Sequence, residues 1–142
     1  MKELKRLLSS LPSPTPDIVM MGDFNMPHAD WITGQCASGA SSDEQKMVQA
    51  LYELSLDYFL IQQYDCPTHK DGNTVDLLFT NNTDIVHNVD ALLSAVTDHY
   101  LMNMSVVYKC PTTSVEEQDD PVDQVNVTTN FNTLNFFDNG ID

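Results

Sequence analysis

The stretch Asp17-Ile18-Val19-Met20-Met21-Gly22-Asp23-Phe24-Asn25 runs from apolar to polar residues, and it contains the first strand that the sequence predicts. The apolar run Ile18 to Met21 is too short for a helix and lies between a proline and a glycine, which is typical of a strand buried on both faces. Asp23 and Asn25 are costly to bury without partners, so we expect them at a rim of the sheet. The glycine before them indicates a backbone geometry that other residues resist. A simple Asx turn explains the same residues, so this stretch alone leaves its function open.

The size and charge of the chain limit its possible functions. Its 142 residues, 42% of them hydrophobic, suffice for one modest domain with a core. The formal net charge is −15 and Lys and Arg number only six, whereas direct binding to nucleic-acid phosphates needs such cations. Carboxylates can still act on a phosphodiester through bridging divalent cations. The composition therefore favours either a metal-dependent site or no role with nucleic acids.

The sequence also bears on the compartment. No apolar stretch has the length of a membrane span, so we expect no membrane partner. The charged N-terminus is unlike a signal peptide. The three cysteines are far apart and lack CxxC spacing, which predicts reduced thiols and an intracellular chain.

The periodicity of apolar residues predicts an α/β arrangement for residues 1–110. Leucines at helical spacing predict a helix over residues 2–11. A second helix is expected to begin with a capping box at Ser41 or Ser42 and to run to about residue 57. Strands are predicted at residues 58–61, 74–80 and 100–108. Residues 111–142 lack basic side chains and carry an acidic run, so we expect an acidic, flexible tail or linker there.

Polar residues also occur within or beside the later predicted strands. Asp76 lies inside an apolar strand, where a carboxylate needs a hydrogen-bond partner or a charge; an acid on an exposed edge strand would give the same pattern. Asp98 and His99 are adjacent at the start of the last predicted strand, and neighbouring residues of an extended chain point to different sides. His28 and Asp30 are predicted to be solvated loop residues, outside the catalytic set.

Three motifs follow one another in an order that resembles the endonuclease/exonuclease/phosphatase superfamily: Gly22-Asp23-Phe24-Asn25, Thr74-Val75-Asp76-Leu77 and Thr97-Asp98-His99. The last motif has threonine where the superfamily usually has serine. Pro67-Thr68-His69 and Leu77-Leu78-Phe79-Thr80-Asn81 are closer still to the endonuclease domain of non-LTR retrotransposons. The resemblance covers roughly residues 4–110 and matches the second half of that domain.

The resemblance implies a DNase-I-like fold, which is a four-layer α/β/β/α sandwich, with residues 1–110 as its C-terminal half. It also implies a metal-binding role for one acid, Asp98, with Mg²⁺ or Mn²⁺ as the cofactor, and catalytic roles for the other motif residues, His99, Asp76, Asp23 and Asn25. Among these, the imidazole suits a general base because its ordinary pKa lies near neutrality. The metal-binding glutamate of the family has no counterpart that we can place.

The function implied by the resemblance is a metal-dependent endonuclease that nicks DNA, as in target-site cleavage by non-LTR retrotransposons. A reverse transcriptase in the same polyprotein and action in the nucleus are implied by the same family. We expect these residues to be an incomplete domain, inactive in isolation. Alternatives are a retroelement-derived fragment without catalysis, another phosphodiesterase or phosphatase of the superfamily, and an acidic interaction module with chance motifs.

Overall fold

The computed structural model describes residues 1–109 and 122–129, which form helices and antiparallel sheets, and the predicted α/β class is confirmed. A short 3₁₀ helix, Thr83–Ile85, precedes the sixth strand. The other elements in chain order are α1 (Lys2–Ser9), β1 (Val19–Asp23), β2 (Ala29–Asp30), β3 (Gln35–Cys36), α2 (Ser42–Asp57), β4 (Ile61–Gln62), β5 (Asp76–Thr80), β6 (Val86–Leu92), β7 (Leu101–Lys109) and β8 (Val122–Thr129).

The central strand of the first sheet is β5, which pairs antiparallel with β1 on one side and with β4 on the other. All residues of β5 are buried. In contrast, β1 lies at an edge of this sheet and is mostly half-buried. Both faces of β1 contact a buried cluster, Met20 on one side and Val19 and Met21 on the other, but these side chains are only half-buried, so the prediction of a strand buried on both faces is met only in part. A short apolar run does not distinguish an edge strand from a central one, because that depends on which strands pair with it.

One face of the first sheet packs against the two helices. Leu77 and Phe79 of β5 lie on this face and join leucines of α1 and α2, together with Val48, in one buried cluster. Full burial of an aliphatic side chain contributes about 1.5–3 kcal/mol, so this cluster is a main source of stability for the helical layer. The leucine spacing that predicted α1 places Leu8 in this cluster.

The opposite face of the first sheet packs against a second sheet, in which β7 lies between β6 and β8. Leu78 alternates with its neighbours in β5 and therefore points to this face. It joins Val86, Met102 and Met104 in a second buried cluster. The described residues thus form a helical layer and two sheet layers. A helical layer outside the second sheet is not among them, so the four-layer sandwich stays a prediction.

The strand β8 lies inside the region that the sequence predicted to be an acidic tail. Every residue of Val122–Thr129 pairs antiparallel with β7, and valine and threonine favour this extended structure. The expectation of a flexible tail is therefore wrong for these residues. The remaining parts of that prediction, residues 111–121 and 130–142, lie outside the described residues, and the domain boundary at residue 110 stays a prediction.

The beginning of α2 shows which of two serines caps the helix, and the residues after its end show where the next strand begins. Ser41 is the N-cap, and its side-chain oxygen accepts a hydrogen bond from the Glu44 backbone N–H at 3.1 Å. After the helix, Phe59 has a φ of 55°, so the strand expected over residues 58–61 begins only at Ile61. Among the helices that the structure describes, none is long and apolar enough to cross a membrane.

Candidate active site

The pairing of β1 with β5 brings the first two acids together. Asp23 lies opposite Asp76 in the register of the two strands. Beyond the last pair, the Phe24 N–H donates to the Val75 carbonyl at 2.9 Å, which extends the pairing past the strand end. Directly opposite residues of an antiparallel pair project to the same face. Both carboxylates therefore lie on one face at the same end of the sheet.

The chain turns sharply after β1, at Asn25. This residue has a φ of 48°, and its backbone N–H donates to Asp23 Oδ1 at 2.9 Å in an Asx turn. Asparagine is one of the few residues that adopt this left-handed conformation readily. The unusual backbone conformation that we expected at Gly22 is found at Asn25 instead. Gly22 is a buried strand residue opposite Leu77. The Asn25 side chain is exposed at the rim.

His99 and Asp76 form the closest polar pair of the site. His99 Nδ1 lies 3.1 Å and 3.0 Å from the two carboxylate oxygens of Asp76. The Asp76 side chain is fully buried and that of His99 is 16% exposed. An imidazole hydrogen-bonded to a carboxylate through Nδ1 carries its proton on that nitrogen, so Nε2 is left as the acceptor in the neutral ring.

Burial and charge shift the proton affinity of both members of this pair. Burial raises the pKa of Asp76, and the hydrogen bonds from His99 and Thr68 offset only part of this effect. Burial lowers the pKa of His99, but the hydrogen bond and charge of Asp76, with the nearby charges of Asp23 and Asp98, raise this pKa above its ordinary value. The imidazole is therefore a stronger base than a solvated histidine.

Asp23 faces the other nitrogen of the same ring. His99 Nε2 lies 3.9 Å from Asp23 Oδ2, and the two side chains are 16% and 19% exposed. This distance exceeds that of a hydrogen bond, and it leaves both atoms able to bind a third group. Within residues 1–109 and 122–129, two groups of side chains have ligand atoms close enough to hold a metal ion, and Asp23, Asp76 and His99 form one of them.

Thr68 holds the backbone at Asp76 in place through hydrogen bonds. The sequence did not predict this role. Its fully buried side-chain oxygen accepts hydrogen bonds from the Val75 and Asp76 backbone N–H groups, both at 2.9 Å. Its own hydroxyl proton is left for the Asp76 carboxylate, whose pKa this hydrogen bond lowers. The only signal in the sequence was the Pro67-Thr68-His69 motif, which marked the family and gave no residue role.

Asp98 lies apart from the buried pair, at the surface. Its side chain is 66% exposed, and Asp98 Oδ2 lies 3.5 Å from His69 Nε2. Hydrogen bonding from its own backbone N–H, the contact with His69 and the charges of His69 and His99 lower the pKa of Asp98. Asp98, His69 and His99 form the second group that could hold a metal ion. The structure thus places Asp98 near His99, in a different group from Asp23.

His28 and Asp30, which we left out of the predicted catalytic set, make local contacts. The backbone N–H and ring Nδ1 of His28 both lie 2.9 Å from carboxylate oxygens of Glu44, which joins the loop after β1 to α2. Asp30 Oδ1 accepts hydrogen bonds from the backbone N–H groups of the turn that follows it. Neither residue belongs to the two groups around His99.

The α/β fold, with a buried carboxylate–imidazole pair and further carboxylates at one end of a sheet, fits the endonuclease/exonuclease/phosphatase superfamily that the motifs resemble. The family model described as endonuclease-reverse transcriptase matches residues 1–103. The chain belongs to this family, and the resemblance read from its motifs is confirmed. No curated protein and no solved structure matches the chain.

Proposed function

We propose that this chain supplies catalytic residues of a metal-dependent endonuclease that nicks DNA, as in target-site cleavage by non-LTR retrotransposons. The observation that carries the proposal is the orientation of His99. Its Nδ1 is held by the buried Asp76 carboxylate, and its Nε2 faces Asp23 at the open end of the sheet. Membership of the endonuclease-reverse transcriptase family supports the same reaction class.

His99 is the proposed general base. Hydrolysis of a phosphodiester at neutral pH needs a group that removes a proton from the attacking water, and an imidazole is suited to this task. Asp76 keeps the proton of the neutral ring on Nδ1 and stabilises the imidazolium that forms when Nε2 takes a proton. The raised pKa of His99 is consistent with this role.

Asp23 and Asn25 are the proposed positioning groups for the water and the phosphate. Asp23 is partly exposed, is 3.9 Å from the Nε2 of the base and can accept a hydrogen bond from a water between them. The exposed amide of Asn25 can donate to a phosphate oxygen without adding negative charge. The left-handed turn at Asn25 keeps this amide next to Asp23.

The donor types at this end of the sheet fit a hard divalent cation. Asp98 offers exposed carboxylate oxygens in one of the two groups around His99, and Asp23 offers a partly exposed carboxylate in the other. Mg²⁺ or Mn²⁺ is bound by one or two carboxylates plus waters and substrate phosphates. Asp76 is fully buried with both oxygens near His99, so it is not a proposed ligand. When bound, the cation supplies charge stabilisation at the phosphate.

DNA as the substrate and a reverse transcriptase in the same polyprotein are further parts of the proposal, supported by the family description. A DNA substrate also implies action inside the cell, in the nucleus where one exists. With a net charge of −15, the chain gains little from direct contacts with phosphates, so the proposed cation matters for substrate binding as well as for the chemistry.

A plasmid-nicking assay tests the proposed function. Supercoiled DNA is incubated with Mg²⁺ or Mn²⁺ and either the 142-residue chain or a longer chain that adds the coding sequence preceding residue 1. Only two carboxylates are available to the cation among the described residues near His99, so we expect nicking to need a further ligand and to appear with the longer chain. In that chain, His99→Ala should lower the rate about 10²–10⁴-fold.

Each result of this assay has a definite meaning. No nicking by the longer chain with either metal would overturn the endonuclease proposal and favour the second candidate, a retroelement-derived chain without catalysis. The small number of available carboxylates is the observation that favours this second candidate. Strong nicking by the 142-residue chain, lost in His99→Ala, would show instead that no further ligand is needed. In a parallel assay with a phosphate monoester as the substrate, release of phosphate by a chain that does not nick DNA would indicate a phosphatase of the same superfamily.

A further inference from the structure

We propose that His69 is a positioning residue that orients the Asp98 carboxylate for metal binding, with Nε2 as the ring nitrogen that faces this carboxylate. The inference rests on the proposed function, because it concerns the same cation. Three observations carry it: the backbone pairing of the His69 segment, the partners of the two ring nitrogens, and the exposure of Asp98.

The backbone fixes His69 beside the Asp98-His99 pair. His69 and His99 form an isolated antiparallel bridge. On its two sides, the Lys70 N–H donates to the Asp98 carbonyl at 2.9 Å and the Tyr100 N–H donates to the Thr68 carbonyl at 2.8 Å. The segment before β5 and the segment before β7 are therefore held in one register. These hydrogen bonds fix the backbone of position 69 beside the backbone of Asp98, so the imidazole starts from a fixed Cα close to the carboxylate.

The partners of the His69 ring indicate which nitrogen carries the proton. The Asp71 backbone N–H donates to His69 Nδ1 at 3.2 Å, so Nδ1 acts as an acceptor. The neutral ring then has its proton on Nε2, which lies 3.5 Å from Asp98 Oδ2. The Asp71 carboxylate lies 3.5 Å from Nδ1 on the other side, and the His99 ring packs edge-to-face at a centroid distance of 5.1 Å. With its proton on Nε2, the ring has its donor nitrogen 3.5 Å from the Asp98 carboxylate.

The exposure of Asp98 explains why it needs such a partner. Its side chain is 66% exposed, so burial does not hold it in one rotamer, whereas the side chain of His69 is 19% exposed. A partner that orients a metal-binding carboxylate reduces the entropy lost when the cation binds, and loss of such partners typically weakens metal affinity about 10–100-fold. The contact with His69 therefore gives Asp98 an orientation that its surface position does not supply.

The test measures metal affinity without DNA. Mn²⁺ is titrated into the longer chain of the nicking assay, and binding is followed by paramagnetic broadening of the Asp98 backbone amide signal. His69→Ala should weaken the apparent affinity at least about tenfold. His69→Gln, whose amide nitrogen reaches the same place as Nε2, should retain affinity within about threefold because it keeps a donor there. His87→Ala, at an exposed position of β6, is the matched control and should leave affinity unchanged.

The outcomes separate this inference from the proposed function. Binding by the wild-type chain that is weakened by Asp98→Ala but not by His69→Ala would overturn the inference alone. No Asp98-dependent Mn²⁺ binding by the wild-type chain would overturn the metal role of Asp98 and, with it, that of His69. Equal loss of affinity in His69→Gln and His69→Ala would mean that His69 binds the metal directly, which also overturns a positioning role.

A second measurement determines which ring nitrogen of His69 carries the proton. Long-range proton–nitrogen correlation spectra of the metal-free protein distinguish the two neutral tautomers of a histidine ring. We expect His69 to be protonated on Nε2, with an unprotonated Nδ1, and the signals are assigned by their loss in His69→Gln. A ring protonated on Nδ1 would contradict the inference even if the His69→Ala variant failed to fold.

Discussion

At the scale of single residues, the site depends on buried side chains that fix the position of other side chains through hydrogen bonds. Asp76 is fully buried and reaches solvent only through His99, yet its position determines which nitrogen of the imidazole is free. Thr68 in turn holds Asp76 through two backbone N–H groups. The imidazole that we propose as the general base is thus the last of a chain of buried hydrogen bonds, each of which is costly to break.

Replacement of Thr68 by valine tests this support. Valine has the same shape but no oxygen, so the Val75 and Asp76 N–H groups would lose their buried acceptor. Each unsatisfied donor costs about 1–3 kcal/mol. We expect a corresponding loss in the free energy of unfolding, measured by urea denaturation. Thr68→Ser keeps the hydroxyl and should lose clearly less, and similar losses in the two variants would contradict the proposed hydrogen bonding.

The sequence predicted some of these residues and missed others for a physical reason. Asp23, Asp76 and His99 stand within motifs, and the structure brings them together. Thr68 and His69 act through hydrogen bonds to residues that follow a turn, or through pairing with a segment 30 positions later. Such contacts exist only once the chain has folded, so residue type alone did not reveal them.

At the scale of secondary-structure elements, α2 is positioned by its first turn. The Ser41 side chain caps the Glu44 N–H, and Glu44 is then free to bind the backbone N–H and ring of His28. A glutamate at this position of a capping box normally reaches back to the N-cap N–H. Here it joins the helix to the loop that follows β1, and so to the same loop that contains Asn25.

The two serines at this helix start provide a matched pair of variants. Ser41→Ala removes the cap and should lower the free energy of unfolding by about 1 kcal/mol. Ser42→Ala, one position further on, removes no capping hydrogen bond and should change it by less than about 0.5 kcal/mol. Chemical denaturation measures both. A larger loss in Ser42→Ala would mean that the helix begins one residue later in solution.

Elements with a local pattern were predicted from sequence, and elements that depend on distant pairing were not. The leucine spacing of α1 and the capping residues of α2 lie within a few positions of one another. The edge position of β1 and the pairing of β8 with β7 depend instead on strands far away in the sequence. Apolar periodicity gives the face of a strand but not its neighbours.

At the scale of the whole molecule, acidic charge accumulates without enough cations to balance it. The net charge of −15 includes the carboxylates around His99. Like charges brought together by folding destabilise the folded state unless a proton or a cation compensates. The described fold is therefore expected to gain stability from a divalent cation at this end of the first sheet.

Thermal unfolding with and without Mg²⁺ tests that expectation. At equal ionic strength, Mg²⁺ should raise the melting temperature, since a ligand at 100 times its Kd stabilises by about 2.7 kcal/mol. The increase should shrink in Asp98→Asn and in Asp23→Asn, whereas Asp57→Asn, at the exposed end of α2, is the control and should keep it. An unchanged melting curve at millimolar Mg²⁺ in the longer chain, which adds the coding sequence preceding residue 1, would contradict a metal site.

The pairing of β1 with β5 also limits how this chain can change in length. Asp23 is opposite Asp76 only in one alignment of the two strands, and a slip of one position turns every side chain of β1 to the other face. A single inserted or deleted codon between residues 18 and 25 would therefore exchange the two faces of β1, which pack against different buried clusters, and carry Asp23 away from His99. The exposed residues Ser38 and Gly39 lie outside every strand pair among the described residues, so related chains should differ in length there and agree in length along β1.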